Sequence, residues 1–113
     1  MAQSLFILHS LNGNTKDSFK DNVTEIAEGL GYEVYYPIFA VSEESSFENF
    51  KEVMQRFESD ITANSVFIAH SISANYLIKY IYDKKIKIRS LISVGGGLNY
   101  LQKKLQKTTT ILA

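Results

Sequence analysis

The sequence predicts an α/β fold in which one parallel sheet lies between two layers of helices. Apolar runs of strand length alternate with segments whose apolar residues recur at helical spacing, in the order β-α-β-α-β-α-β-α-β. The central run, residues 66–69, is continuously apolar, as is typical of a strand buried on both faces. No linker, repeat or low-complexity tract divides the 113 residues, of which 45% are hydrophobic. We therefore predict one domain over residues 1–113.

The first half of the chain supplies two strands and two helices. Residues 5–8 and 33–36 are the predicted strands, and Pro37 stops the second, whose mixed composition suits a position near the sheet edge. Ser45 is the expected N-cap of the second helix, with Glu48 completing a capping box. The apolar stripe of the first helix is Phe19, Val23, Ile26, Ala27 and Leu30, with Gly31 suited to its C-cap. The second helix is expected to bury Phe47, Phe50, Val53, Met54, Phe57 and Ile61.

The second half repeats the alternation. The strand at 66–69 leads into a helix, residues 87–94 form the fourth strand, and residues 108–113 have the composition of a fifth. The third helix shows the i, i+3, i+4, i+7 stripe Ala74, Leu77, Ile78 and Ile81. After a break at Gly95, Gly96 and Gly97, a short fourth helix is marked by Leu98, Leu101 and Leu105.

Composition excludes several classes of protein. The sequence has no cysteine, which excludes a disulfide framework and a thiolate metal site, and we expect neither a metal nor a cofactor. No signal peptide is recognised, and no apolar run approaches the ~20 residues that span a bilayer, so we expect a cytoplasmic protein without a membrane partner.

Charge is distributed unevenly along the chain. Residues 1–60 hold eleven acidic and four basic side chains, whereas residues 61–113 hold eight basic side chains and one acidic. The basic half favours solvated helix faces and loops over an anion-binding patch. No aromatic residues are interleaved with it as in a single-strand binding groove, so we expect no nucleic-acid partner.

A serine stands where the buried central strand gives way to the third helix. Ser71 would lie at the carboxyl edge of the sheet, where α/β proteins bind ligands. A serine on such an elbow is lifted out of the sheet, and the N–H of Ile72 could donate to an oxyanion. Ala69 and Ser73, two residues away on either side, are small but are not the glycines of the Gly-x-Ser-x-Gly motif. The alternative is that Ser71 only caps the helix.

At these residues the chain resembles the small α/β-hydrolases of the retinoblastoma-binding-protein-nine and YdeN type. The matching segments are Phe6-Ile7-Leu8-His9-Ser10, Phe67-Ile68-Ala69-His70-Ser71-Ile72-Ser73 and Leu91-Ile92-Ser93-Val94-Gly95-Gly96. The chain departs from the family at Ser10 and Ser73, where the family has glycine. The resemblance implies an α/β-hydrolase-like sheet of order 2-1-3-4-5, with Ser71 as nucleophile. It also implies a second oxyanion N–H from Ser10 or Leu11, of which Leu11 is the better candidate.

The resemblance also implies that a catalytic acid and a histidine follow the fifth strand, where this sequence stops. We therefore expect these residues to be the N-terminal part of a longer hydrolase or a shortened one. Ser10, His9 and His70 are accessory candidates within the chain. His9 would act either as a base or through a structural hydrogen bond across the loops. His70 would act either as a base or as a buried hydrogen-bonding residue.

Three functions remain open from the sequence. The first is a serine hydrolase that cleaves carboxylic esters or related acyl bonds of small molecules through an acyl-enzyme on Ser71. The second is a non-catalytic binding or interaction module on the same fold. The third is a flavodoxin-like binder of phosphate or flavin, which the hydroxyl-rich residues 10–15 would suit. An exposed edge at the fifth strand further predicts self-association.

Overall fold

A five-stranded parallel sheet organises the molecule, in the order β2-β1-β3-β4-β5. The computed structural model describes residues 3–11, 19–40, 46–94 and 110–112, the last only as backbone. The strands are β1 (Ser4–Leu8), β2 (Glu33–Tyr35), β3 (Val66–His70), β4 (Ser90–Val94) and β5 (Thr110–Leu112). The helices are α1 (Lys20–Gly29), α2 (Phe47–Gln55) and α3 (Ile72–Lys84), and a 3₁₀ turn spans Glu58–Asp60. The predicted α/β class and strand order are confirmed.

The strand order places the helices on both faces of the sheet. Crossovers between parallel strands are right-handed, so the direction of each crossover along the sheet decides the face on which its helix lies. The crossover from β1 to β2 places α1 on one face. The crossovers from β2 to β3 and from β3 to β4 run in the opposite direction and place α2 and α3 on the other face. We call the α2/α3 side the packed face and the α1 side the open face. The predicted fourth helix, around 98–105, and the break at 95–97 lie outside the described residues.

The packed face carries the hydrophobic core. Strand residues alternate in direction, and Phe6 pairs in register with Phe67, which pairs with Leu91, so the three side chains lie side by side. All three are buried in one cluster with residues of α2 and α3. The rings of Phe6 and Phe67 stack at 4.7 Å, and Phe50 of α2 meets Tyr80 of α3 edge to face at 6.3 Å.

The open face is covered less completely. The side chains of Ile68 and Ile92, which alternate with the core residues, are half-buried. The apolar stripe identified in the sequence of α1 is largely outside the core, since Ile26 is 65% exposed and Leu30 is 73% exposed. Ala27 is the buried residue of this helix. The stripe therefore does not pack as a whole, because Ile26 and Leu30 stay outside the core.

Most strand ends lie within one or two residues of prediction, and the starts of α2 and β4 differ for identifiable reasons. Helix α2 begins one residue later than expected, because its N-cap is Ser46, whose Oγ accepts the N–H of Asn49 at 3.1 Å. The expected cap, Ser45, lies outside the described residues. Strand β4 begins at Ser90 rather than residue 87, because the chain leaves α3 through a left-handed residue, Lys85, and reaches the sheet only afterwards.

The end of α1 agrees with the sequence prediction. Gly31 has a φ of +92°, the left-handed conformation that glycine adopts at little cost. Its N–H donates to the carbonyl of Glu28, and the N–H of Tyr32 donates to that of Ala27, which is a Schellman motif. The chain then turns directly into β2.

Candidate functional site

Ser71 occupies a sharp turn between β3 and α3. Its φ of 60° and ψ of −133° are rare for a residue other than glycine. The turn is held from below, because the N–H of Ser71 donates to the carbonyl of Val94 at 2.8 Å, one step past the last paired residues of β3 and β4. A backbone conformation of this kind costs on the order of 1–3 kcal/mol and persists only where surrounding contacts impose it.

The hydroxyl of Ser71 does not cap the helix that follows it. Serine at an N-cap ordinarily accepts an N–H from the first turn, as Ser46 does in α2. Ser71 is the N-cap residue of α3, yet its side chain makes no such hydrogen bond, and the residue is partly exposed. The capping interpretation of Ser71 is therefore not supported, and the hydroxyl stays available at the sheet edge.

The two backbone N–H groups predicted from the sequence as oxyanion donors, those of Ile72 and Leu11, lie just after neighbouring strands. Ile72 is the first residue of α3, so its N–H has no acceptor within the helix. Leu11 lies just beyond β1, which pairs with β3 up to Leu8 and Ala69. The side chain of Leu11 is buried in the core, which anchors this loop beside the elbow. Both residues thus lie at the same edge of the sheet as Ser71.

Both ring nitrogens of His9 form hydrogen bonds to the backbone of loops at this edge of the sheet. It is fully buried, and its Nε2 accepts the N–H of Phe39 at 2.9 Å, so Nε2 carries no proton. Its Nδ1 lies 2.8 Å from the carbonyl oxygen of Ser10 and therefore carries the ring proton and donates it there. Both ring nitrogens are engaged, which favours the structural role over that of a base.

His70 lies on the other side of the strand end. It is the last residue of β3 and is half-buried, with its ring 6.1 Å from that of Phe19 in an edge-to-face arrangement. Phe19 directly precedes α1, which places the His70 ring on the open face. Ser10, the remaining accessory candidate, is half-buried and contributes its carbonyl to His9.

Ser73 has a role that sequence reasoning missed. The sequence presents it as a departure from the second glycine of the elbow motif. In the structure it is fully buried, and its Oγ donates to the backbone carbonyl of His9 at 2.6 Å. The hydroxyl thus joins the first turn of α3 to the loop after β1. The sequence shows a small residue here, but the proximity of the β1 loop arises only from the tertiary structure.

The described residues contain no candidate metal site. Within the described ranges 3–11, 19–40 and 46–94, no three histidine, aspartate or glutamate side chains cluster as metal ligands would.

Among the residues that the structure describes, no helix is long and apolar enough to cross a membrane.

Three ionisable side chains contact one another where α3 meets the 3₁₀ turn, away from Ser71. The hydroxyl of Tyr80 donates a short hydrogen bond to Glu58, and Nζ of Lys84 lies 3.4 Å from the same carboxylate. Burial, followed by the Glu58 carboxylate, raises the pKa of Tyr80. The Tyr80 hydrogen bond, with help from Lys84, lowers the pKa of Glu58. This group ties the 3₁₀ turn to α3.

Comparison with known proteins identifies the fold. No family model and no curated protein matches the sequence. Among solved structures, an extracellular α/β-hydrolase from a Paenibacillus species superposes with a TM-score of 0.63 at 12% identity, over 85% of this chain and 41% of its own. That protein is described as sharing structural and functional homology with tobacco salicylic acid binding protein 2.

A second solved structure gives the same result. It is described as a "predicted CIB-like hydrolase" from Thermoplasma acidophilum, with a TM-score of 0.63 at 18% identity, over 96% of this chain and 60% of its own. The chain therefore spans between about two fifths and three fifths of the length of these neighbours. At such low identity the likeness shows the fold alone, an α/β fold with a parallel sheet that matches part of each hydrolase.

Proposed function

We propose that this chain carries the nucleophile of a serine hydrolase that cleaves carboxylic esters or related acyl bonds. The observation that carries the proposal is the conformation of Ser71, a non-glycine residue with positive φ whose hydroxyl does not cap its helix. A strained turn of this kind between a strand and a helix is what exposes the nucleophile in α/β-hydrolases. The fold of the two structural neighbours supports the same assignment.

In the proposed reaction, the Oγ of Ser71 attacks the acyl carbon and its proton passes to a general base. The carbonyl oxygen becomes an oxyanion, which the N–H groups of Ile72 and Leu11 would stabilise. Collapse of this intermediate expels the alcohol, which takes up the proton, and leaves an acyl group on Ser71. Water, activated by the same base, then attacks the acyl carbon and releases the acid and the free hydroxyl.

Two exposed isoleucines follow strands at the carboxyl edge of the sheet and favour an uncharged acyl group. Ile72, whose N–H is a proposed oxyanion donor, is 37% exposed, and Ile38, in the loop after β2, is 56% exposed. The loop of Ile38 is tied to the β1 loop, because the next residue, Phe39, donates its N–H to His9. Exposed aliphatic side chains at this edge of the sheet gain free energy when an apolar group covers them. We therefore propose small, apolar acyl substrates.

The source of the general base is part of the proposal. The sequence contains two histidines, and both ring nitrogens of His9 are engaged. The base is then His70, a group other than histidine, or a residue supplied by polypeptide outside these 113 residues. The retinoblastoma-binding-protein-nine type, in which the acid and histidine follow later strands, supports the last of these. We propose that type for this chain, together with a cytoplasmic location.

Labelling with a fluorophosphonate probe tests the nucleophile. We expect the probe to add one phosphonyl group to Ser71, with loss of fluoride, and the S71A variant to remain unlabelled. Ser46, which is exposed and already engaged as a helix cap, provides the control variant S46A, which should label like the wild type. Absence of labelling in both this chain and any longer form of the protein would overturn the proposal.

The second candidate function is a non-catalytic binding module. It is favoured by the engagement of His9, which removes one of the two histidines that could activate Ser71. Steady-state hydrolysis of p-nitrophenyl acetate separates the two functions. Turnover that disappears in S71A supports the hydrolase, whereas ligand binding without labelling or turnover supports the binding module.

A further inference from the structure

We infer that Ser73 and His9 are positioning residues that fix the N–H of Leu11 as an oxyanion donor opposite Ile72. The catalytic part of this inference rests on the proposed hydrolase function. The structural part, a connection between the elbow and the β1 loop, stands on the hydrogen bonds alone. Neither side chain is assigned a reaction with substrate, since both are fully buried.

The first step concerns how the elbow is held. On the β4 side, β3 and β4 pair up to their last residues, His70 and Val94, and the N–H of Ser71 adds a hydrogen bond to the carbonyl of Val94. On the β1 side, pairing with β3 ends at Leu8 and Ala69. The hydroxyl of Ser73 replaces the missing backbone contact on that side, because it reaches the carbonyl of His9, the residue directly after the last pair.

The second step concerns the direction of the Leu11 N–H. The carbonyl of Ser10 and the N–H of Leu11 belong to one planar peptide group, and the described chain contains no cis peptide. In a trans peptide these two groups point in opposite directions. The Nδ1–H of His9 holds the carbonyl of Ser10 at 2.8 Å and so turns the Leu11 N–H away from the His9 ring.

The third step concerns what holds the His9 ring. Its Nε2 accepts the N–H of Phe39, and its backbone carbonyl accepts the hydroxyl of Ser73. The ring is therefore fixed from the β2 loop, while the backbone of the same residue is fixed from α3. A glycine at position 73, as in the usual elbow motif, could not make the second of these contacts. This explains why serine is tolerated, and used, at a position where the motif asks only for small size.

The test compares S73A with two other variants of the same chain. S73A removes the hydroxyl while keeping the helix. H9Q keeps an acceptor at the ε position for the N–H of Phe39 but removes the δ donor to Ser10. S93A is the matched control, because Ser93 is also buried, lies on the adjacent strand β4, and has an Oγ without a hydrogen-bond partner in the described residues.

Two measurements are made on each variant. The first is the kinetics of fluorophosphonate labelling, divided into probe affinity and maximal inactivation rate. Loss of a whole oxyanion donor costs roughly 100- to 1000-fold in rate, so a misdirected one should slow the maximal rate about tenfold in S73A and H9Q, with affinity changed less than about twofold. The second is the backbone order parameter of Leu11 by NMR, which should fall from about 0.85 to below about 0.6. S93A should behave as the wild type in both.

The outcomes separate this inference from the proposed function. If neither this chain nor any longer form of the protein is labelled but the Leu11 order parameter falls in S73A and H9Q, the hydrolase proposal fails and the connection stands. If labelling in the wild type is normal and neither variant alters the Leu11 order parameter, the inference is overturned and the hydrolase proposal stands. A slower maximal rate with an unchanged order parameter also overturns it, because the effect would not pass through the loop.

Discussion

The two faces of the sheet differ in how their apolar residues are used. On the packed face, Phe6, Phe67 and Leu91 lie in register and are sealed by α2 and α3. On the open face, Ile68 and Ile92 are half-buried, and α1 leaves much of its apolar stripe in solvent. The same strands supply both sets of residues, so the difference arises from what covers each face rather than from the strands themselves.

This comparison shows what an apolar sequence pattern can and cannot predict. The pattern indicates that a surface is suited to burial, at about 1.5–3 kcal/mol for each large aliphatic side chain removed from water. It does not indicate which segment provides the cover. Ile26 and Leu30 match the helical pattern as well as the buried residues of α3 do, yet they stay exposed in the part of the chain that the structure describes.

The largest expected effect comes from breaking the packed face. Phe50 is fully buried, stacks on Phe39 at 4.7 Å and contacts the rings of Tyr76 and Tyr80. We expect F50A to lower the free energy of unfolding by about 3–5 kcal/mol, because it leaves a cavity as well as losing apolar burial. Urea denaturation measures this change.

The control for F50A is L30A on the open face. Because Leu30 is mostly exposed, L30A should change the free energy of unfolding by less than about 0.5 kcal/mol. Equal losses in the two variants would show that α1 packs against the sheet in solution and would remove the difference between the faces.

A smaller effect is expected at the N-terminus of α2, the helix that covers the packed face. S46A removes the side-chain oxygen that accepts the N–H of Asn49 and should cost about 1 kcal/mol in the same denaturation measurement. The neighbouring variant S45A tests the cap expected from the sequence and should cost little. A larger loss in S45A would restore the predicted helix start and contradict the structure.

Much of the fold follows from the sequence because it depends on local pattern. The apolar run before Ser71 and the helical stripe after it fix the junction of β3 and α3, and with it the position of the candidate nucleophile. The strand order was implied by the family resemblance and is confirmed. The unexpected 3₁₀ turn at 58–60 has no periodicity long enough to be recognised.

The details of the site depend on contacts between distant residues and could not be predicted. The positive φ of Ser71 is imposed by neighbours such as Val94, which is 23 positions away in the sequence. Nothing in the local sequence from Ala69 to Ser73 requires it. Likewise, the contact of Ser73 with His9 joins residues 64 positions apart. The sequence could indicate only that both positions hold side chains able to form hydrogen bonds.

The contact of Glu58 with Tyr80 and Lys84 gives a weaker, pH-dependent test of the packed face. E58Q keeps an acceptor for the hydroxyl of Tyr80 but removes the charge beside Lys84. Because the pKa of Glu58 is lowered in the folded protein, its contribution is present above the ordinary value of 4.5 and is lost as the pH falls through the folded pKa. The partial exposure of this pair limits its contribution to at most about 1 kcal/mol.

We therefore expect E58Q to unfold slightly more easily than the wild type at pH 7, with the difference shrinking as the pH falls below 4.5 and through the lowered pKa of Glu58. Denaturation at pH 7 and at a series of acidic pH values measures this. The conservative variant K79Q, on the exposed pair of Lys79 and Asp83, serves as the surface-charge control and should unfold like the wild type at pH 7. A difference between E58Q and the wild type that grows on acidification would contradict the direction of the Glu58 pKa shift.

The sharpest test of the open face is expected from the double variant I26K/L30K. Both side chains are already largely in solvent, so the free energy of unfolding should change by less than about 1 kcal/mol. Exposed apolar surface nevertheless promotes association between molecules. Sedimentation velocity at increasing concentration should show that the wild type self-associates and that the double variant does so less. If association is unchanged, the open face is not the contact, and the edge at β5, which we propose as the site of self-association, becomes the surface to alter next.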